Sequence, residues 1–352
     1  MKNYQALIAE IEARQNPERI QLNELFKAEL SSITYGDVEK YIRFAMNGVE
    51  PEYTARSREA GEKVKKHLQE VLNKVCYEYQ GSVMTNTHIK ATSDIDLLVI
   101  CEKFYSWDSS NVKLILENHA LKSNYRLDQV NKLQAVTNAS TYKGRISEDL
   151  RQIRIDIEDK LKITYEICDT SHPKAIKIRN KNLKRDVDIV VSNWYHNVAT
   201  ILNENDKDYK GIQIYNKDSN TQGPQNFPFL SIKRINERSS FTNGRLKKMI
   251  RFLKNIKAAS SAKITLSSFQ FNAICYDIST SKYEDKNVYE LAFVVYSQLC
   301  SLANDSTHRS NLKSVDGNEF IDLNSYDKLE ELKILIQEIE PIIQDLIARK
   351  AI

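Results

Sequence analysis

At 352 residues and 41% apolar content, the chain is long enough to bury a substantial core and to form two lobes. No stretch approaches about eighteen uncharged apolar residues, and the opening MKNYQALIAEIEARQ has no signal-peptide core, so the expectation is a soluble, cytoplasmic chain with no membrane partner. A net charge of +4 does not advertise nucleic-acid binding, and the five scattered cysteines, without a C-x-x-C or a cysteine-histidine cluster at zinc spacing, read as buried thiols.

In chain order, the apolar positions Leu7, Ile8 and Ile11, then Ile20, Leu22, Leu25 and Phe26, predict two helices meeting at a break at Pro17. A loop at Tyr35 and Gly36 leads to a helix over 38–46, and Pro51 precedes a long helical run over 54–75 carried by Val64, Leu68, Val71, Leu72 and Val75. That helix is expected to deliver the chain into a turn at Gly81 and to serve as a spine spanning both lobes. Beyond Ile100, residues 107–110 read as a loop, 112–121 as a short helix and 124–143 as ambiguous. Ile146, Leu150, Ile153, Ile157 and Leu161 then mark an amphipathic helix. The run AIKIR, the polar turn NKNLK and RDVDIVV read as a β-hairpin. The polar stretch 203–225 is the best linker or loop candidate. Four further helical patterns follow, and Pro341 should kink or end the last of them.

The chemistry concentrates in GSVMTNTHIKATSDIDLLVI, Gly81 to Ile100. Asp94 and Asp96 alternate with Ile95 and Leu97, and period two is strand geometry, so both carboxylates point to one face. Two carboxylates aimed the same way repel each other unless a divalent cation sits between them, and magnesium is the hard ion that suits carboxylate and phosphate oxygens. Gly81, lacking a Cβ, lets the backbone approach a phosphate closely, while the Ser82 hydroxyl and the following amides can donate to it. In RDVDIVVS, Asp186 and Asp188 share a face opposite Val187, Ile189 and Val191.

Glycine-serine, a gap of about a dozen residues and Asp-x-Asp entering an apolar strand resemble the nucleotidyltransferase signature of the DNA polymerase β superfamily. That resemblance requires a third carboxylate on a neighbouring strand; Asp188 is the better match and Asp186 the competitor. RLKKMIRFLKNIKA (245–258) followed by ITLSSFQFNAICYD (264–277) looks like the helical lobe of the bacterial CD-NTases, SMODS-type relatives of cyclic GMP-AMP synthase. The implied fold is α+β: a polymerase β-like lobe over 1–200, with a mixed sheet, helices and the long spine helix, then a C-terminal helical lobe over 201–352.

The resemblance also implies the roles. Asp94, Asp96 and Asp188 would hold two Mg2+ or Mn2+ ions; Gly81, Ser82 and a lysine, Lys254 with Lys247 as competitor, would contact phosphates. Ser268 would bind the triphosphate and Phe269 would stack on the base, a position where relatives more often carry tyrosine. The implied reaction joins NTP substrates into a cyclic di- or trinucleotide with release of pyrophosphate. Such a product is an alarm signal sensed by a separate effector in anti-phage defence (CBASS), and relatives can be held inactive by a regulatory protein partner. Two other readings share these residues: a template-independent transferase acting on RNA or protein, and a catalytically silent nucleotide-binding module.

Overall fold

The computed structural model describes residues 2–16, 36–90, 94–139, 142–203 and 206–349. The expected break at Pro17, the apolar positions from Ile20 to Phe26 and the loop at Tyr35 lie outside the described residues. The chain divides into two compact units: a helical unit from Met1–Ala55, Ser82–Ser93 and Ile232–Ile352, and a sheet unit from Arg56–Gly81 and Asp94–Ser231. The expected boundary at 200/201 does not coincide with this division. The opening helices pack with the C-terminal ones because their apolar faces, Tyr4, Ile11, Tyr41 and Ile42 among them, belong to the same buried cluster as Leu253 and Leu335.

Helices α1 (Tyr4–Gln15) and α2 (Asp37–Met46) belong to the helical unit, and the chain leaves it within the first turns of α3 (Pro51–Gln69). The long helix expected to reach Val75 stops at Gln69. Lys74 adopts a left-handed conformation, φ 57°, and Val75–Gln80 then forms strand β1. Its β-branched and aromatic residues find an antiparallel partner there, which local helical spacing could not anticipate.

The sheet contains β1, β2 (Ile95–Trp107), β3 (Cys168–Asp169), β4 (Ile176–Asn180), β5 (Arg185–His196), β6 (Gly211–Asn216) and β7 (Thr221–Asn226). Its order is β1-β2-β5-β4-β3, with β6 added beside β5 and β7 beside β6. The β2–β5 pairing is parallel and the other pairings are antiparallel, so the sheet is mixed. The centre is dry: Leu97, Leu98, Val99 and Ile100 are all fully buried, as strands covered on both faces require. On one face Leu98, Ile100 and Val190 pack with Ile212 and Phe229. Helix α4 (Ile146–Thr164) lies against β5 and buries Leu150, Ile153, Ile157 and Leu161, as its periodicity predicted.

Three stretches differ from expectation in informative ways. The polar linker candidate 203–225 contains most of the β6–β7 hairpin. Its polar side chains are partnered in the sheet: Gln222 Nε2 donates to Asn193 Oδ1 at 2.6 Å and to Ser106 Oγ at 3.1 Å. The ambiguous segment 124–143 contains the helix Leu127–Asn138, and β2 runs past Ile100 to Trp107 through a register shift between Cys101 and Tyr105. All five cysteines are free thiols, each buried or half-buried.

In the helical unit α5 (Arg245–Ala259) is the central rod, touching α1, α2, α6 (Ser268–Asp277), α7 (Glu290–Asn304) and α8 (Tyr326–Ala348). Leu246, Met249, Ile250, Phe252, Leu253 and Ile256 of α5 are all buried, so this helix is enclosed on more than one face. Helix α8 runs through the position of Pro341, so the proline does not end it. Proline removes one backbone hydrogen bond there, but Leu335 and Ile339 before it and Ile342, Ile343 and Leu346 after it are buried together, and this packing holds both halves in one helix. Pro341→Ala should therefore raise the thermal midpoint, because it restores the missing donor within an already helical backbone. A fall in the midpoint would show that the proline ring itself is required by the packing.

Candidate active site

The residues singled out from the sequence fall into two sets, one in each unit. In the sheet unit, β1 ends at Gln80 and Gly81 follows with φ +88°. A side chain there would be strained by the backbone and would also run into Asp96 Oδ2, so glycine is needed on both counts. Asp96 faces Gln80 across the antiparallel β1–β2 ladder and Asp188 across the parallel β2–β5 ladder. The competitor Asp186 lies beyond the end of that parallel ladder and pairs with Arg179 at 3.4 Å.

Lys177 was not singled out from the sequence. It sits on β4 directly opposite Asp188, with Nζ 3.0 Å from Asp188 Oδ2 and 3.7 Å from Asp94 Oδ2. The hairpin register could have revealed it, since pairing AIKIR with RDVDI places Lys177 against Asp188. Burial pushes the Asp96 carboxyl up to about 7, the negative charges of Asp188 and Asp94 add to the rise, and Lys177 offsets part of it. Burial also raises Asp188 against the opposing pull of Lys177, and its Oδ1 is buried without a hydrogen-bond partner. Among the described residues no group of three His, Cys, Asp or Glu forms a ready-made metal cluster. The donor chemistry nevertheless suits a hard divalent cation: crowded carboxylates, with the charge of Asp94 raising the pKa of both Asp96 and Asp188, and an orphaned buried oxygen.

In the helical unit, residues 82–86 form a turn in which Ser82 O accepts from Thr87 N at 2.9 Å and from Thr85 Oγ1 at 3.2 Å. Two buried cations of α5 hold it. Lys254 Nζ donates to Thr87 O at 2.9 Å, and Arg251 donates to Asn86 O at 2.7 Å and to Met46 O at 2.8 Å. Lys254 is only 7% exposed, and burial first, then the charge of Arg251, lowers its ammonium to about 8. Lys247 is half-buried and lowered by the same two causes. Arg251 was missed because its position in the helix pattern looks like any exposed basic residue; only the enclosure of α5 makes it buried.

Ser268 is the first residue of α6 and is exposed, while its neighbour Ser267 caps the helix with Gln270 in a capping box. Phe269 is 41% exposed, so its ring is not part of the core. Asn272 of α6 has a buried, unpartnered Oδ1, and Asn243 is a left-handed turn residue.

The model of the cGAS/DncV-like nucleotidyltransferase C-terminal helical domain matches residues 233–342. The whole chain is 53% identical over 347 residues to a protein of Capnocytophaga granulosa named c-di-GMP synthase, with 98% of each covered. The chain belongs to the bacterial CD-NTases. Two solved structures agree: the STING-associated CdnE c-di-GMP synthase of C. granulosa (TM-score 0.82, 48% identity, 99% of each chain covered) and that of a Flavobacteriaceae species (TM-score 0.89, 38% identity, 98% and 99% covered). Membership makes this chain a nucleotidyltransferase of the cyclic-oligonucleotide class with a polymerase β-like sheet.

Two consequences can be measured in this CD-NTase. Gly81→Ala should lower nucleotide turnover by about a hundredfold or more, the scale expected when reacting groups are displaced, while circular dichroism stays native; wild-type turnover would show that the Asp96 side chain can move away from a methyl group at position 81 without loss. For Lys254, the folded ammonium titrates near 8 and the unfolded one near its ordinary value. Between those values the unfolded state binds more protons, so stability should rise with pH in that window. Denaturant unfolding of wild type against Lys254→Met checks this: the difference between them should shift in favour of wild type as pH rises above about 8, and a pH-independent difference would contradict the buried charge.

Proposed function

We propose that this CD-NTase joins two GTP molecules into c-di-GMP, releasing two pyrophosphates. The observation that carries the reading is the side-by-side placement of Asp96 and Asp188 at the starts of two parallel strands, with Asp94 and Gly81 adjoining. The choice of guanine is supported by the relatives, which are named c-di-GMP synthases and match the chain over nearly all its length.

Asp94, Asp96 and Asp188 would hold two Mg2+ or Mn2+ ions. When bound, these supply positive charge to the triphosphate and lower the pKa of the attacking ribose hydroxyl. In the first transfer a ribose hydroxyl of one GTP attacks the α-phosphorus of the other and pyrophosphate leaves. In the second the remaining ribose hydroxyl attacks the α-phosphorus of the triphosphate kept by the linear intermediate, the bond to its β,γ-diphosphate breaks, and the second pyrophosphate leaves as the ring closes. Asp188 accepts the hydroxyl proton in this scheme. Lys177, paired with Asp188 and Asp94, balances the charge of the carboxylates that would hold the cations. Ser82 and the amides of its turn bind phosphate oxygens; Lys254 supports that turn from beneath, with Lys247 the lysine nearer to solvent. Ser268 and Phe269 act on the triphosphate and the base, Phe269 through its exposed ring.

The product then acts on a separate effector. The two structural relatives are described as STING-associated, which supports a cyclic-dinucleotide receptor in an anti-phage (CBASS) pathway as the recipient. Among the described residues no helix is long and apolar enough to cross a membrane.

The test is incubation of the purified chain with GTP and Mg2+ or Mn2+, phosphatase treatment and mass spectrometry. A phosphatase-resistant c-di-GMP is expected, with formation falling by about a thousandfold or more in Asp94→Ala/Asp96→Ala and in Asp188→Asn, as for loss of principal electrostatic groups. A cyclic product of other bases would overturn the guanine assignment, and linear tails on added RNA would overturn the cyclase reading.

A further inference from the structure

The far halves of β2 and β5 line a second cavity, wholly within the sheet unit, of about 1050 Å³. Such a volume is at the upper end of the roughly 300–1,000 Å³ of small-molecule sites. After the register shift, Tyr105 of β2 pairs with Trp194 of β5 and Trp107 with His196. All four rings line the cavity, so a dense aromatic wall stands at the opposite end of the strands from the aspartates. Tyr105 is 42% exposed and stacks on His196 with ring centroids 4.4 Å apart and planes 21° apart. One face of the Tyr105 ring is therefore covered by imidazole and the other is available to a planar ligand.

The polar groups of the cavity are equally specific. His196 is only 8% exposed, lines the cavity, and has an Nε2 that is buried without a hydrogen-bond partner. Burial and the nearby Lys210 charge lower its pKa to about 4, so the ring is neutral and can offer a single donor or acceptor to a ligand. An unpartnered buried nitrogen is costly in a folded protein and points to a group that joins it from the cavity. Two lysines, Lys143 and Lys210, line the same space and form no ion pair among the described residues; Lys210 Nζ lies 5.0 Å from the Trp194 ring centroid. Lys103 is committed elsewhere, to Asp149 at 2.5 Å, and Glu102 is the acidic residue of the lining. The exposed Tyr105 ring, a neutral hydrogen-bonding edge and ammonium groups that form no ion pair among the described residues together match a base attached to phosphate.

We propose that this cavity is a second nucleotide site, separate from the aspartates, in which a nucleobase stacks on Tyr105 and meets His196 while its phosphate is held by Lys210 and Lys143. The ligand chemistry is that of a free nucleotide, and it has two sources: a nucleoside triphosphate or a cyclic dinucleotide.

The chain has two tryptophans, Trp107 and Trp194, and both line this cavity, so intrinsic tryptophan emission reports on it directly. The experiment titrates the full chain with GTP, ATP or c-di-GMP in EDTA, which stops turnover, and follows emission with correction for absorption by the nucleotide. Saturable quenching is expected, weakened about tenfold or more in Tyr105→Ala and in Lys210→Glu, the size of effect that loss of one base stack produces. Quenching by GTP or ATP identifies a triphosphate as the source, and quenching by c-di-GMP identifies the product. No quenching, or quenching equally strong in both variants, overturns the site, the latter assigning the signal to binding elsewhere. Quenching by single-stranded RNA alone overturns it in favour of a nucleic-acid surface. Both variants should retain c-di-GMP synthesis at saturating GTP with Mg2+, so failure of the second site and failure of the proposed reaction remain distinguishable.

Discussion

The parallel pairing of β2 with β5 is the constraint on which the sheet unit depends. Parallel strands begin at the same end, so Asp96 and Asp188, each near the start of its strand, become neighbours. An antiparallel pairing of the same two segments would have separated them by the length of a strand. The arrangement concentrates negative charge: burial raises the Asp96 pKa, Asp188 and Asp94 raise it further, and Lys177 offsets part of the repulsion from the adjoining hairpin strand. The apolar run behind each aspartate allows this arrangement to persist, because Leu97 to Ile100 are fully buried and a slipped register would have to repack all of them. Structural order in the apolar half of the strand thus stabilises electrostatic frustration in the acidic half.

A second arrangement concerns the turn after Gly81. Its carbonyls at Asn86 and Thr87 are met by Arg251 and Lys254, three residues apart on α5 and so on neighbouring positions of one helix face. Burying two cations that have no carboxylate partner among the described residues is unfavourable, as the lowered pKa values of both show. Hydrogen bonds to backbone carbonyls compensate in part, and they fix the course of a segment that has no regular secondary structure beyond its first turn. The close approach at Gly81 belongs to the same theme, since the backbone there takes a conformation that strains an L side chain and a position where a Cβ would press on Asp96 Oδ2. Both features place the rigidity of the proposed phosphate-binding turn in packing and hydrogen bonding rather than in the turn itself.

The parallel pairing has a consequence at the other end as well. Strands that start together also run out together, so the aromatic residues closing β2 and β5 form one wall just as the aspartates form one cluster. After the register shift between Cys101 and Tyr105, Tyr105 and Trp107 are paired with Trp194 and His196 within that wall. The sheet unit therefore presents an acidic end and an aromatic, basic end on the same two strands, with a dry apolar middle between them.

How much of this was legible in advance depended on whether the information was local. The alternation in DIDLLVI and VDIVV, the hairpin over 176–190 and the helix over 146–161 could be read directly, because period two and period 3.6 are properties of the chain itself. Lys177 was readable in principle from the hairpin register, yet its meeting with Asp94 required β2 to be placed beside β5. The end of α3 before β1, the strands hidden in the polar stretch after Asn203 and the continuation of α8 through Pro341 were not readable, because in each a tertiary partner outweighed a local preference. The two units likewise draw on segments far apart in the chain, which no boundary placed at one sequence position can express. The sequence by itself determined the acidic strand starts, the apolar runs behind them and the helical periodicities, since these follow from side-chain type and spacing. Only the tertiary structure decided which carboxylates are neighbours, which lysines and arginines are buried and which rings face a cavity, because burial and proximity belong to pairs of segments and not to either one alone.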